Sequence, residues 1–251
     1  MGKAESLNEL KTHLLNVPKF ISINEEQYLN NRASIYRFIT QFQENTTFAI
    51  RSSANIEDGE FKSFAGIFNS YLNIHRNDVV NYIQLCINDK NLERVKEYCS
   101  TFNIKKAISM NVIIQEMINS DISGVCFSMD PVSKKDNYII ECAYGIGEGV
   151  VSGLIDPDQI IYDPKNDFII SYKVKCEKSK LKFDRQKSGL ENVPVEYLDQ
   201  CRRKISIKQL NVLISAVKKI KNIFNNKDVD VEWAYKDNVL YILQARLITT
   251  I

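Results

Sequence analysis

Several things are scarce in this sequence, and each scarcity excludes something. Only two of the 251 residues are histidines, His13 and His75, so a histidine-rich metal centre is excluded. No apolar run approaches the ~20 residues that a membrane helix needs, and Met1-Gly2-Lys3-Ala4-Glu5 carries no apolar signal core. The expectation is a cytoplasmic protein with no membrane partner. An excess of one charge is also missing. The 33 Lys and Arg against 31 Asp and Glu leave a net charge of +2, which offers nucleic acid no electrostatic footprint. The most Lys-rich stretch, Lys173 to Lys187, is interrupted by Glu177 and Asp184 and reads as a solvated loop. The six cysteines, at 86, 99, 126, 142, 176 and 201, include no C-x-x-C pair, and Cys126 and Cys142 lie inside apolar runs. That pattern predicts buried free thiols in a reducing compartment, not a disulfide framework or a zinc site.

What is present is ordinary globular material: 44% hydrophobic and 25% charged residues, enough for one large domain or two lobes with a real core. Ser6-Leu-Asn-Glu9 predicts a capped helix over about Leu7–Leu15, ended by Pro18. Asn24 can cap a second helix over about Glu25–Gln43, Asp78 one through Cys86, and Asp89 one through Tyr98. The middle of the chain is β-rich: Ala107 to Ile118, Ser123 to Asp130, Asn137 to Gly145, and a hairpin over Gln159–Val174 with its turn at Pro164–Asp167. Ser206-Ile-Lys-Gln209 caps a strongly amphipathic helix carrying Leu210, Leu213, Ile214, Val217, Ile220 and Phe224. Interspersed helices and antiparallel hairpins predict an α+β fold.

Six stretches can carry chemistry. "VDVEWAYKDNVLYILQAR", Val229 to Arg246, reads as a hairpin. A three-residue loop over Lys236–Asn238 sets Tyr235 against Val239 and Glu232 against Ile242, and puts Glu232, Gln244 and Arg246 on one face; an equivalent bulge does the same. A carboxylate and an amide oxygen suit Mg²⁺, and an arginine beside them suits phosphate. By itself the hairpin favours the plainer reading, a solvated face with a Glu–Arg pair. Arg51 ends an apolar strand, where it can meet a phosphate or bridge to an acid. Gly66 and Ser70 in "FAGIFNSYLN" can form a phosphate-covering loop or a plain turn. Gly145, Gly147, Gly149 and Gly153 match neither a Rossmann fingerprint nor a P-loop, and predict a sharply turned backbone close to another element. Gln115-Glu116-Met117 can edge a purine, as any strand can. Lys3 can meet phosphate or be a solvated terminus.

Taken in order, Lys3, "FAIRSSANIED", "SFAGIFNSYLN", "VIIQEMINSDISGVCFSMDP", "AYGIGEGVVSGLIDPDQ" and the terminal hairpin closely resemble the N-terminal ATP-binding domain of the phosphoenolpyruvate synthase and pyruvate phosphate dikinase family. Rifampin phosphotransferase and L-glutamine kinase are among its members. The resemblance covers nearly the whole chain. It implies an ATP-grasp fold in which two lobes, 1–106 and 107–251, clamp ATP. By resemblance Lys3, Arg51 and Arg246 contact phosphates, Gly66 and Ser70 cover them, and Gln115, Glu116 and Met117 edge the adenine. Glu232 and Gln244 hold Mg²⁺, with Asp230 assisting. The short interval between Lys3 and Arg51 and the single glycine before Lys3 imply a trimmed first lobe and a loosely held lysine.

The resemblance also implies a division of labour: the ATP domain phosphorylates a histidine on a separate domain or chain, which passes the phosphate to a small-molecule acceptor, with AMP and phosphate as products. Neither His13 nor His75 sits in the Gly-rich loop such a carrier needs. The acceptor can be a glutamine amide or an antibiotic. The alternatives are pyruvate, as in phosphoenolpyruvate synthase, a non-catalytic ATP sensor, or acyl-phosphate ligase chemistry.

Overall fold

The computed structural model describes residues 2–54, 67–104, 107–184 and 186–248. Two antiparallel sheets dominate it. The first contains β1 (Phe20–Asn24), β2 (Thr47–Ala54), β3 (Ser70–His75) and β4 (Met110–Glu116) in the order β1-β4-β2-β3. On β2, Phe48 and Ile50 point one way and Ala49 and Arg51 the other, following the period of two. The Phe48 side is covered by α2 (Glu25–Asn30), α3 (Ala33–Ile39) and α4 (Val79–Asn88), whose Tyr28, Ile35, Phe38, Val79, Ile83 and Cys86 complete that core. The other side looks toward the second sheet. A single 3-10 turn (Asp89–Asn91) and α5 (Glu93–Thr101) complete this part.

The second sheet runs β12-β11-β5-β6-β7-β8, from β5 (Ile122–Phe127), β6 (Tyr138–Tyr144), β7 (Asp158–Asp163), β8 (Phe168–Lys173), β11 (Val229–Lys236) and β12 (Val239–Leu247). Val229, Val231, Trp233 and Tyr235 pack on one face against α7 (Ile207–Ile223), with Leu10 of α1 (Lys3–Thr12) in the same core. The opposite face carries Asp230 and Glu232. A short helix, α6 (Glu148–Val151), lies on that face, where Val150 joins Val125 and Ala143. Close packing here leaves no room for a Cβ at Gly124, which would sit 1.9 Å from the Glu141 carbonyl oxygen.

Several expectations change. The first helix begins at Lys3 because Glu5 accepts the Gly2 N–H (3.1 Å); the Ser6 hydroxyl, expected as its cap, instead donates to the Ala245 carbonyl at 2.6 Å. The predicted Glu25–Gln43 helix is two helices, broken after Asn30. Asp89 does not cap a helix; its carboxylate accepts the Asn69 N–H (3.0 Å) and α5 starts later. Within the Lys-rich stretch, Ser179–Phe183 is a strand, β9, paired with β10 (Leu190–Pro194). Cys176 and Cys201, expected as free thiols, are joined in a disulfide, because two chain segments far apart in sequence return to one point. Cys126 and Cys142 are buried and free.

The sheets also cross the expected lobe boundary between residues 106 and 107. β4 pairs with β1 and β2 in the first sheet, and α1 packs on β12 of the second. Chain order and spatial grouping differ because an antiparallel sheet is filled by pairing partners, not by sequence neighbours.

Candidate active site between the two sheets

The terminal hairpin adopts neither the expected loop nor the expected facing pairs. Its loop is the two residues Asp237 and Asn238, both with positive φ (49° and 62°), a tight turn that suits Asp and Asn. Lys236 therefore faces Val239, and Tyr235 faces Leu240 instead of Val239. A bulge beside Glu232 and Trp233 then shifts the register, so that Trp233 faces Ile242, Glu232 faces Gln244 and Asp230 faces Arg246. The extra residue of the bulge restores the common face that a two-residue loop alone would have destroyed. Glu232, Gln244, Asp230 and Arg246 thus sit as two cross-strand pairs on the side opposite the Trp233 core.

Arg51 reaches this face from the first sheet. Its guanidinium donates to Glu232 Oε2 at 3.2 Å and to Gln244 Oε1 at 3.4 Å. The Arg51 and Glu232 side chains are only 14% and 21% exposed, so the pair is shielded from bulk water. Gln244 also donates to Glu232 Oε1 at 3.4 Å. Beside this trio, Arg246 grips Asp230 through Nε (2.8 Å) and a terminal nitrogen (2.7 Å). Burial pushes the Asp230 carboxyl up in pKa; Arg246 opposes the shift and Glu232 adds to it.

Of the remaining expected residues, Lys3, Gln115 and Ser70 adjoin the strands that carry this cluster. Lys3, at the start of α1, donates its ammonium to the Ser52 carbonyl at 3.0 Å. Expected to be loosely held, it is carried by a helix fixed through Ser6, Leu7 and Leu10. The Gln115 amide donates to Leu243, the residue added by the bulge (3.4 Å). The Glu116 and Met117 N–H groups are bonded to the Lys19 and Thr47 carbonyls at 2.8 and 3.0 Å, so they are committed within the protein. Ser70 opens β3 directly opposite Arg51 and is exposed. Gly66 lies outside the described residues.

One acid was not anticipated. Glu148, at the first position of α6, has its pKa raised by burial, lowered by Arg51 and raised by Glu232; it belongs to the same electrostatic cluster. A carboxylate set among the glycines of "GIGEG" was the available signal. As predicted, the glycine segment is sharply turned and close to another element. Gly145 has φ +75°, and a Cβ there would lie 2.3 Å from the Leu181 carbonyl oxygen.

The donor set fits a hard divalent cation. Glu232 and Gln244 present adjacent oxygens, and the buried Asp230 Oδ1 accepts no hydrogen bond. Both Glu232 and Gln244 already hold a positive guanidinium. Among the described residues no group of three or more His, Cys, Asp or Glu is arranged to hold a metal ion. A cation here would rely on few protein oxygens and on substrate oxygens, which is how Mg²⁺ is held at phosphate sites.

The sequence matches the family described as pyruvate phosphate dikinase, AMP/ATP-binding domain, over residues 29–251. The chain belongs to this family. Among its relatives, a probable phosphoenolpyruvate synthase of Archaeoglobus fulgidus is 35% identical over 205 residues, covering 81% of this chain and 27% of that protein. One from Methanocaldococcus jannaschii is 34% identical, covering 83% and 18%. Rifampicin phosphotransferase of Bacillus cereus is 30% identical, covering 87% and 25%. The chain therefore spans about a quarter or less of these relatives. Among solved structures, VanG D-Ala:D-Ser ligase from Enterococcus faecalis superposes with a TM-score of 0.50 at 12% identity, covering 99% of this chain and 53% of that one. The fold is ATP-grasp, as the family resemblance implied. No helix among the described residues is long and apolar enough to cross a membrane.

Proposed function

We propose that this pyruvate phosphate dikinase-family domain uses MgATP to phosphorylate a histidine on a separate domain or chain. That carrier then delivers the phosphate to a small-molecule acceptor, with AMP and phosphate as products and the cytoplasm as the setting. The observation that carries the reading is the meeting of Arg51 from the first sheet with Glu232 and Gln244 from the second, beside Asp230 and Arg246. Such a cluster spans the gap between two sheets, which is where an ATP-grasp fold needs charge.

In this reading Arg51, Arg246 and Lys3 orient phosphates and offset the negative charge that grows on them during transfer. Glu232 and Gln244 hold Mg²⁺, with Asp230 beside them. The ion, when bound, supplies charge neutralisation across the phosphate oxygens. Gly66 and Ser70 cover the phosphates, Ser70 from the start of β3. Gln115, Glu116 and Met117 border the adenine; the committed Glu116 and Met117 amides leave side chains and carbonyl oxygens for that role. The nucleotide-clamping units are then the four-stranded sheet with α2–α5, and α1 with the six-stranded sheet. A glutamine amide or an antibiotic is the acceptor class we favour. A phosphohistidine domain supplied in trans, with labelled ATP, tests the proposal. Arg246→Ala and Glu232→Ala should each abolish its labelling and AMP release, and undiminished labelling by both variants overturns the assignment.

A further inference from the structure

A third, two-stranded unit joins the sheets. β9 and β10 form a strap that leaves the second sheet after β8 and returns before α7. Its base is fixed twice. Deep inside, Lys204 and Asp158, both fully buried, pair at 2.8 Å. Further out, Cys176 and Cys201 are bonded across a separation of 25 residues. Both cysteines are exposed, unlike Cys86, Cys126 and Cys142, which are buried.

The tip of the strap docks on the first sheet. Asn73, wholly buried and held at φ 54° in β3, donates its amide to the carbonyls of Asp184 (3.0 Å) and Gly189 (2.6 Å). The Asn73 backbone carbonyl accepts the Gly189 N–H at 3.2 Å. The His75 N–H donates to the Ser188 hydroxyl (3.1 Å), which donates to Asp78 (2.8 Å). The flank of the strap supports the glycine segment: the Ile146 N–H donates to the Leu181 carbonyl at 3.0 Å, two residues before Glu148. One hairpin therefore touches both sheets and the backbone that carries an acid of the site.

We propose that Cys176 and Cys201 are a reversible dithiol–disulfide switch that sets how firmly this strap ties the two sheets together. Oxidation needs a low-molecular-weight disulfide. One protein thiolate attacks it, releasing one small thiol; the second protein thiolate displaces the other, and the new S–S bond forms as two protons and two electrons leave the protein cysteines. A small dithiol reverses the exchange. Closing the bond removes conformational freedom from the excursion that is otherwise ordered by its tip and flank contacts and the Lys204–Asp158 anchor. Reduction leaves the Lys204–Asp158 anchor in place, so the strap loosens while the second sheet stays folded.

The test uses the full chain equilibrated with oxidised glutathione or with dithiothreitol. Alkylation and peptide mass spectrometry should show Cys176 and Cys201 protected together in the first case and alkylated in the second. Limited trypsin digestion should cut after Lys182 and Lys187 about tenfold more slowly in the oxidised protein, and the Gly189 and Ile146 amides should exchange more slowly. Asn73→Ala, which leaves both cysteines intact, should make the oxidised strap as cleavable as the reduced one. The proposal is overturned if the pair stays open in oxidised glutathione, if cleavage and exchange are equal in the two states, or if Asn73→Ala leaves oxidised cleavage unchanged.

Discussion

Removing Arg51 should cost more stability than removing Glu232, although the two are partners in one ion pair. At 3.2 Å the gross attraction is about 5 kcal/mol with an effective dielectric near 20, and desolvation of two shielded side chains cancels most of it. The net cost of each variant is therefore set by what remains. Arg51→Met leaves Glu232 and Glu148 facing each other without the cation that lowers the Glu148 pKa; an uncompensated charge in such a place costs about 3 kcal/mol. Glu232→Gln leaves Arg51 bonded to Gln244 and close to Glu148, so about 1 kcal/mol is expected. Urea melts of wild type, both single variants and the double variant close the cycle. The coupling energy should be about 1–2 kcal/mol, and Arg51→Met should lower the thermal midpoint by roughly 6–12 °C. A Glu232→Gln loss equal to that of Arg51→Met, or a coupling under about 0.3 kcal/mol, would refute the reasoning.

Gly124→Ala should destabilise by about 3 kcal/mol, because its Cβ would strike the Glu141 carbonyl at 1.9 Å; a urea midpoint within error of wild type contradicts the packing described. Ser206→Ala should cost about 1 kcal/mol, since the Ser206 hydroxyl accepts the Gln209 N–H while Gln209 accepts the Ser206 N–H. Circular dichroism melts of that variant would report the change. Asp230 has a raised pKa in the fold, so the folded state holds its proton where the unfolded chain has lost it. The stability of wild type relative to Asp230→Asn should therefore decline as pH rises from about 4. A difference that grows with pH over that window would reverse the assigned sign.

Local physics was legible in the residue order. The period of two in β2 separates Phe48 and Ile50 from Arg51, because each face of a strand meets a different environment. The apolar stripe and capping box of α7 mark that helix through its start, since both signals act within a few residues. The order of the six motifs points to Arg51, Glu232, Gln244 and Arg246, and the structure brings these side chains together between the sheets. The loop of the terminal hairpin was not. Asp237-Asn238 turns tightly, and the compensating bulge beside Glu232 depends on β11 pairing with β5 on one side and β12 on the other. Equally non-local are the placement of β4 in the first sheet, the arrival of Glu148 beside Arg51, and the meeting of Cys176 with Cys201. Each joins groups separated by many residues, so it is decided by how the sheets assemble and what their faces exclude. The sequence by itself determined which faces are apolar and which side chains can carry charge; only the tertiary structure decided that an arginine of one sheet closes on the carboxylate of the other, because that contact exists only when both sheets bury their opposite faces.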